Sequence, residues 1–340
     1  VIAFPFENGP AEGEAITVAE GVLWLRLPLP MALDHVNVYA LDEGDGWTIV
    51  DTGFDTGRTR KIWQSLLEDT LAGRPILRII GTHHHPDHIG LAGWFMQEHG
   101  AQLMMSRTAW LTARMLQLDR QESPTPQAIA FWRHAGMPVE LREKRTAERP
   151  FNFADMVHPL PPGFIRLVAG QEIHVGGRRW RVEMAHGHAP CHAIFWSLDD
   201  DLVIGGDQLL ASISPNLGVH PTEPDADPVG EWLESCHRLL ELAEDRHLVL
   251  PGHKLPFTGL PERLRQLIDN HHGALQRMEI ALRKSPRTAV ECFDILFKRR
   301  IGESEFGLAL AEAVAHVNHL RGKDVIHAVG ERDGAALWGA

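Results

Sequence analysis

Cysteine is scarce. Cys191, Cys236 and Cys292 are the only three in 340 residues, odd in number and far apart. That argues against a disulfide framework and for a reducing compartment such as the cytoplasm. Tyrosine is scarcer still, with Tyr39 alone. No apolar run approaches the roughly 18 residues that a membrane-spanning helix needs, and Val1-Ile2-Ala3-Phe4-Pro5 is not a signal peptide, so no membrane partner is expected. The chain begins at Val1 and not at Met, which is compatible with a targeting segment removed ahead of it. Positive charge is also short. The 33 Lys and Arg against 45 Asp and Glu give a net charge of −12 and a pI near 5.9. This argues against broad attraction to nucleic acid or to an anionic membrane, while leaving room for a local basic patch. What is present in ordinary proportion is apolar: 44% hydrophobic residues suffice for one large domain and a small one, each with its own core.

One stretch is chemically dense. The apolar strand Ile76-Leu77-Arg78-Ile79-Ile80 runs into Gly81-Thr82-His83-His84-His85-Pro86-Asp87-His88. In an extended turn His83 and His85 fall side by side and His84 points the other way. Asp87 and His88 then open a helix. A solvated His-rich loop is the plain alternative, but it would press imidazoles together without a partner. Neutral His nitrogens and a carboxylate at this spacing are ligands for first-row metals. The stretch resembles the HxHxDH signature of the metallo-β-lactamase superfamily, which binds two metals.

The rest of the chain extends the resemblance. Residues 16–50 alternate as paired strands, with Glu43-Gly44-Asp45-Gly46 as a hairpin turn. Val50-Asp51-Thr52-Gly53 follows, and the resemblance implies that Asp51 supports the ligands from behind; capping the next helix is its other reading. Residues 56–71 have helical spacing, Ile89 to Glu98 reads as a helix closed by Gly100, and Ala101 to Met105 as a short buried strand. From about 106 to 163 the pattern is a helical insertion broken by prolines. Its stripes of Trp110, Leu111, Met115, Leu116 and of Ile129, Phe131, Trp132 serve packing, or a cap with apolar walls above the metals. Strands resume at 164–168, 172–175 and 178–184. Ala185-His186-Gly187-His188-Ala189-Pro190-Cys191-His192 is similar to the family's PGHxxGH loop, which implies His188 as a ligand, with His186 and His192 supporting or structural. A hairpin around Asp199-Asp200-Asp201 leads into Gly205-Gly206-Asp207, an amphipathic helix spans 226–243, and the strand Leu248-Val249-Leu250 runs into Pro251-Gly252-His253. By the resemblance, Asp207 bridges the metals and His253 is the final ligand.

The expected fold class is therefore α/β, a four-layer αββα sandwich over residues 1–260, with the insertion at about 106–163. The tail, 261–340, reads as a helix at 262–283, a second starting at Ser285-Pro286-Arg287-Thr288 and a third from Glu303 to Leu320. Gly322 to Val329 and Gly334 to Trp338 follow as a β-wing. The tail is similar to the winged-helix extension of one branch of β-lactamase-like hydrolases. Its twelve Lys and Arg against eleven Asp and Glu, with Lys298-Arg299-Arg300 the only basic cluster, favour packing or homodimer formation over nucleic-acid contact.

The chemistry implied by the resemblance is hydrolysis. His83, His85 and His188 hold one divalent ion, Asp87, His88 and His253 the other, and Asp207 is shared. A hydroxide between two such ions is a strong nucleophile near neutral pH, and the ions polarise the oxygen under attack. Asp87 is the catalytic candidate, orienting the nucleophile and carrying a proton to the leaving group. Zinc is expected, with iron or manganese also suited to a His and Asp set. His85 stands where redox relatives carry Glu, and Asp207 where antibiotic-degrading enzymes often carry Cys or Ser. Lactonases of this fold commonly use a Tyr beside the metals, whereas Tyr39 lies in an early strand. The expectation is an ester or thioester hydrolase of small molecules, acyl-thioesterase-like or glyoxalase II-like. The alternative is a phosphodiesterase or endoribonuclease, since some winged-tail relatives cut RNA. Ser214, Asn216, His220 and Lys254 are substrate-contact candidates or ordinary loop residues, Lys254 being placed to meet an anion.

Overall fold

The computed structural model describes residues 1–340. The first half builds a seven-stranded sheet in chain order: β1 (Ile16–Ala19), β2 (Val22–Pro28), β3 (His35–Asp42), β4 (Trp47–Val50), β5 (Ile76–Ile80), β6 (Gln102–Ser106) and β7 (Ile165–Leu167). β1 to β4 pair antiparallel and β4 to β7 parallel, so helical crossovers must separate the later strands. These are α1 (Gly57–Ser65), α2 (Pro86–Ile89), α3 (Ala92–Glu98) and, in the insertion, α4 (Arg107–Leu118), α5 (Pro126–Ala135) and α6 (Val139–Ala147). The helix expected from Ile89 to Glu98 is broken after α2. A Cβ on Gly90 would lie 2.4 Å from the Gly53 carbonyl oxygen, and this close approach presses the loop after β4 against the dense motif.

The second sheet holds β8 (Glu172–Val175), β9 (Arg178–Ala185), β10 (His192–Ser197), β11 (Leu202–Gly206) and β12 (Leu248–Pro251), ordered β12-β11-β10-β9-β8. α7 (Pro228–Leu242) is the crossover between the parallel strands β11 and β12. Side-chain alternation along the strands feeds separate cores. Trp24, Tyr39, Val50 and Ile80 face Trp180, Val182, Phe195 and Ile204 between the sheets. Leu25, Val38, Ile49 and Ile79 turn outward onto Ile62 and Trp63 of α1 and Phe95 of α3. Ile194, Trp196 and Val203 turn onto Trp232, Cys236 and Leu239 of α7. The result is four layers, helix, sheet, sheet, helix, each apolar face buried against the next.

The tail completes the outer helical layer with α8 (Leu260–Lys284), α9 (Phe293–Phe297), α10 (Phe306–Gly322) and a hairpin of β13 (His327–Arg332) and β14 (Ala335–Gly339). The helix expected to start at Ser285 does not. Arg287 exchanges backbone hydrogen bonds with Trp338, which holds that segment extended. Thr288 and Glu291 then cap each other's backbone N–H groups at 3.3 and 2.9 Å, so helical turns begin only at Val290. In the insertion, Ala135 and Met137 pack in the same core as Trp338, and the Arg145 guanidinium donates to the Glu303 carbonyl, so its second half packs against the tail. No helix is long and apolar enough to cross a membrane.

Candidate metal centre

Strand direction gathers the predicted residues at one edge of the sandwich. β4 ends at Val50 and delivers Asp51; β5 ends at Ile80 and delivers His83 to His88. In the other sheet β9, β11 and β12 run the same way, since β10 is antiparallel to both β9 and β11 and β12 is parallel to β11. Their ends deliver His188, Asp207 and His253 to the same edge. The loops interlock through backbone: the Ala193 N–H donates to the Thr82 carbonyl at 2.7 Å, and the Gly252 N–H to the Gly206 carbonyl at 2.8 Å.

The side chains converge on Asp207. Its Oδ2 lies 3.3 Å from His88 Nε2, 3.5 Å from His188 Nε2 and 3.2 Å from His253 Nε2. Asp87 Oδ2 lies 3.4 Å from His253 Nε2 and 3.5 Å from His88 Nε2. Three trios bring their ligand atoms within 4.8 Å of one another: His83, His85 and His188; His83, His88 and Asp207; and Asp87, His88 and His253. These include the two trios that the resemblance implies, with Asp207 between them.

The rings are aimed from behind. His88 Nδ1–H donates to Asp51 Oδ2 at 2.7 Å, His188 Nδ1–H to the Asn216 carbonyl at 2.9 Å, and His253 Nδ1–H to the His35 carbonyl at 2.8 Å. Thr82 Oγ1 donates to Asp51 Oδ2 at 2.8 Å and lies 3.0 Å from His83 Nδ1. A proton held on Nδ1 leaves the Nε2 lone pair for the centre, the arrangement by which outer partners set imidazole tautomers at metal sites. His192 stacks on His83 with ring centroids 4.6 Å apart, and its Nε2 accepts the Asp207 N–H at 3.1 Å. Asp51 does not cap α1, a role taken by Thr56.

Electrostatics point to a cation. Burial and neighbouring imidazoles hold His83 and His85 well below the usual imidazole range, so they stay neutral donors. Burial also pulls on His88, but Asp207, Asp87 and Asp51 outweigh it and hold that ring well above its ordinary value. His253 behaves alike, burial being overcome by Asp207 and Asp87 to reach about 10. Burial would raise the Asp207 carboxyl, but His253 and His88 keep it well below the usual range. Converging buried carboxylates thus demand positive charge. His88 Nε2, His188 Nε2 and Asp207 Oδ1 are buried without hydrogen-bond partners, which is the state of atoms shaped to grip an ion.

Other candidates fall outside the trios. His84 is buried, pushed by burial down to about 3, and joins none of them. The Tyr39 hydroxyl donates to the Pro251 carbonyl at 2.8 Å and is structural. The Lys254 N–H donates to His35 Nε2, and its half-buried side chain lines a cleft of about 320 Å³ with Arg26, His35 and Ser212. Sequence reasoning left out Thr82, His35 and Arg26. Thr82 stood in view inside the motif, whereas His35 acts on His253 through a backbone carbonyl, which leaves no mark on residue type.

Comparison with known proteins agrees with this geometry. The model of the metallo-beta-lactamase superfamily matches residues 31–253. The chain belongs to that superfamily. A second model, the metallo-beta-lactamase-like C-terminal domain, matches residues 275–338. A probable metallo-hydrolase, YqjP, of Bacillus subtilis (strain 168) is 26% identical over 311 residues, covering 90% of this chain and 94% of that protein. A beta-lactamase domain protein from Burkholderia ambifaria superposes with a TM-score of 0.89 at 34% identity, covering 99% of this chain and 97% of the other. A metallo-beta-lactamase family protein from Thermus thermophilus does so at 0.77 and 29% identity, covering 95% and 99%. The superfamily member described here is a metal-dependent hydrolase, and its His and Asp clusters bind divalent metal.

Proposed function

We propose that the protein cleaves an ester or thioester of a small molecule, with two divalent ions, zinc first among them, held by His83, His85 and His188 and by Asp87, His88 and His253, and with Asp207 between. The convergence of three Nε2 atoms on Asp207 Oδ2 within 3.5 Å carries this reading. When bound, such ions lower the pKa of water and polarise a carbonyl oxygen. The chain's own residues do the rest. Asp51 and Thr82 fix the rings of His88 and His83, so the ligands need no reordering during the reaction.

Among the carboxylates of the centre, the Asp87 side chain is 17% exposed, against 7% for Asp207 and 3% for Asp51, so Asp87 is the one that substrate can reach. As water adds to the acyl carbon, Asp87 orients it and carries its proton on to the departing alkoxide or thiolate. A cleft of about 320 Å³ lined by His35, whose carbonyl holds His253, is of the size that small ligands fill, in keeping with a small-molecule substrate. The net charge of −12 weighs against a nucleic-acid substrate.

The test is turnover by the metal-loaded protein of acyl thioesters and phosphodiesters side by side, with Asp87→Ala as control. Thioester or ester hydrolysis that disappears in the variant is expected. Phosphodiester cleavage alone would overturn the proposal.

A further inference from the structure

A second cavity, of about 420 Å³, lies under the tail, and its walls include Asn216, His271, Arg277, Leu308, Glu312 and His316. It shares a residue with the metal centre. The Asn216 carbonyl holds His188, while its side-chain amide donates to Glu312 Oε2 at 2.7 Å and to the Leu308 carbonyl at 3.2 Å. One residue therefore separates a metal-facing imidazole from the cavity wall.

The cavity contains polar groups without protein partners. His271 is 2% exposed, and neither of its ring nitrogens makes a hydrogen bond. Buried imidazoles ordinarily find partners, and this one has none within the protein. Its ring lies over His316, with centroids 5.8 Å apart and planes at 28°, but the His316 Nδ1–H is already spent on the Glu312 carbonyl at 2.8 Å. Arg277 gives Nε–H to the Ile295 carbonyl at 3.2 Å and forms no ion pair. The other guanidinium in the wall, Arg299, is paired with Glu305. The one acid deep in the wall is only partly charged near neutral pH: burial pushes the Glu312 carboxyl up to about 7 against the hydrogen bond from Asn216.

We propose that this cavity is an anion subsite of the substrate, with Arg277 and His271 as its donors, taking a carboxylate or phosphate remote from the bond that is cleaved. That the anion belongs to the substrate rests on the proposed hydrolase activity; the subsite itself rests on the unpaired guanidinium and the unpartnered imidazole. A planar guanidinium grips either anion with two parallel N–H groups, and the His271 ring, lining the same cavity, is the further donor. The implied substrate class is an acyl ester or thioester that carries a terminal carboxylate or phosphate.

The experiment has a binding arm and a kinetic arm, both on the full-length metal-loaded protein. Calorimetry measures binding of glutarate and, separately, of inorganic phosphate to the parent, Arg277→Leu, His271→Asn and Arg277→Lys. At least about a tenfold loss of affinity in the first two variants is expected, as for a lost charge-assisted hydrogen bond, with partial recovery in Arg277→Lys. The tighter of the two anions identifies the group. An anion that sits on the metal ions instead would keep its affinity in every variant, and that result overturns the subsite. In the kinetic arm a thioester with a terminal carboxylate is compared with an uncharged one of equal length. KM rises about tenfold or more for the charged thioester in Arg277→Leu, with kcat retained and the uncharged thioester unaffected. Equal effects on both thioesters overturn the proposal. If the parent turns over neither thioester, the hydrolase reading fails and the binding arm still decides the subsite.

Discussion

Replacing Asp51 by Asn is the most direct test of how the centre is held. The Asp51 carboxylate accepts from the Thr82 N–H at 2.9 Å, from Thr82 Oγ1 at 2.8 Å and from His88 Nδ1–H at 2.7 Å, all in a buried setting. An amide of the same shape has one accepting oxygen and one donating NH2. If the oxygen keeps His88, the NH2 faces the Thr82 N–H, and two opposed donors cost about 1–3 kcal/mol. If the NH2 faces His88, the ring must turn its proton to Nε2, where a metal would bind. Backbone strain is not the variable, because Asp51 sits at φ 61°, where Asn is as well tolerated as Asp. Loss of such an outer partner lowers metal affinity about 10- to 100-fold, or about 1.4–2.7 kcal/mol. The assay is competition with a chromophoric chelator, alongside urea unfolding of the metal-free protein. Affinity within twofold of the parent, with hydrolysis intact, would refute the reasoning.

Two further outcomes follow from the tail. Burial raises the Glu312 carboxyl from its ordinary 4.5 to about 7, so the folded chain keeps a proton that the unfolded chain gives up. Stability is therefore lost as pH climbs from about 4.5 to about 7, on the order of 3 kcal/mol in total, and levels off above. Glu312→Gln removes that loss, so its urea midpoint should gain on the parent between pH 5 and pH 8; a constant difference across that range would count against it. Leu264, Leu267 and Met278 of α8 share one core with Trp232 and Val249, so the tail and the second sheet should unfold in a single urea transition by fluorescence and circular dichroism. An earlier separate loss of helical signal would show the tail to be independent.

Much of this was legible in the chain because local signals agreed with the fold. The period-two alternation of Val22 to Pro28 and of His35 to Asp42 becomes adjacent strands with inner and outer faces. The dense motif follows a strand end, where loops in parallel sheets gather their side chains. The illegible parts are those in which backbone or distant chain decides. His35 and Asn216 aim His253 and His188 through carbonyls that any residue would supply. Ser285 to Arg287 read as a helix start, yet Trp338, some fifty residues on, pairs with Arg287 and holds it extended. The cavity under the tail assembles Asn216, Arg277 and Glu312 from a loop and two helices, and no spacing in sequence announces it.

The same division bears on specificity. The ligands of the centre are set by strand ends and by backbone acceptors, which are indifferent to the substrate's identity, so discrimination rests with other residues, and two clefts meet the centre through His35 and Asn216. Arg26 and Lys254 line one cleft and Arg277 the other, and none of the three forms an ion pair. A net charge of −12 should repel an anionic substrate at long range. Yet at physiological salt that field is screened beyond about 8 Å, whereas a guanidinium inside a partly desolvated cavity is screened far less. An acidic surface with cationic cavities would thus bind small anions that fit inside, while extended polyanions, which must lie across the surface, would be turned away.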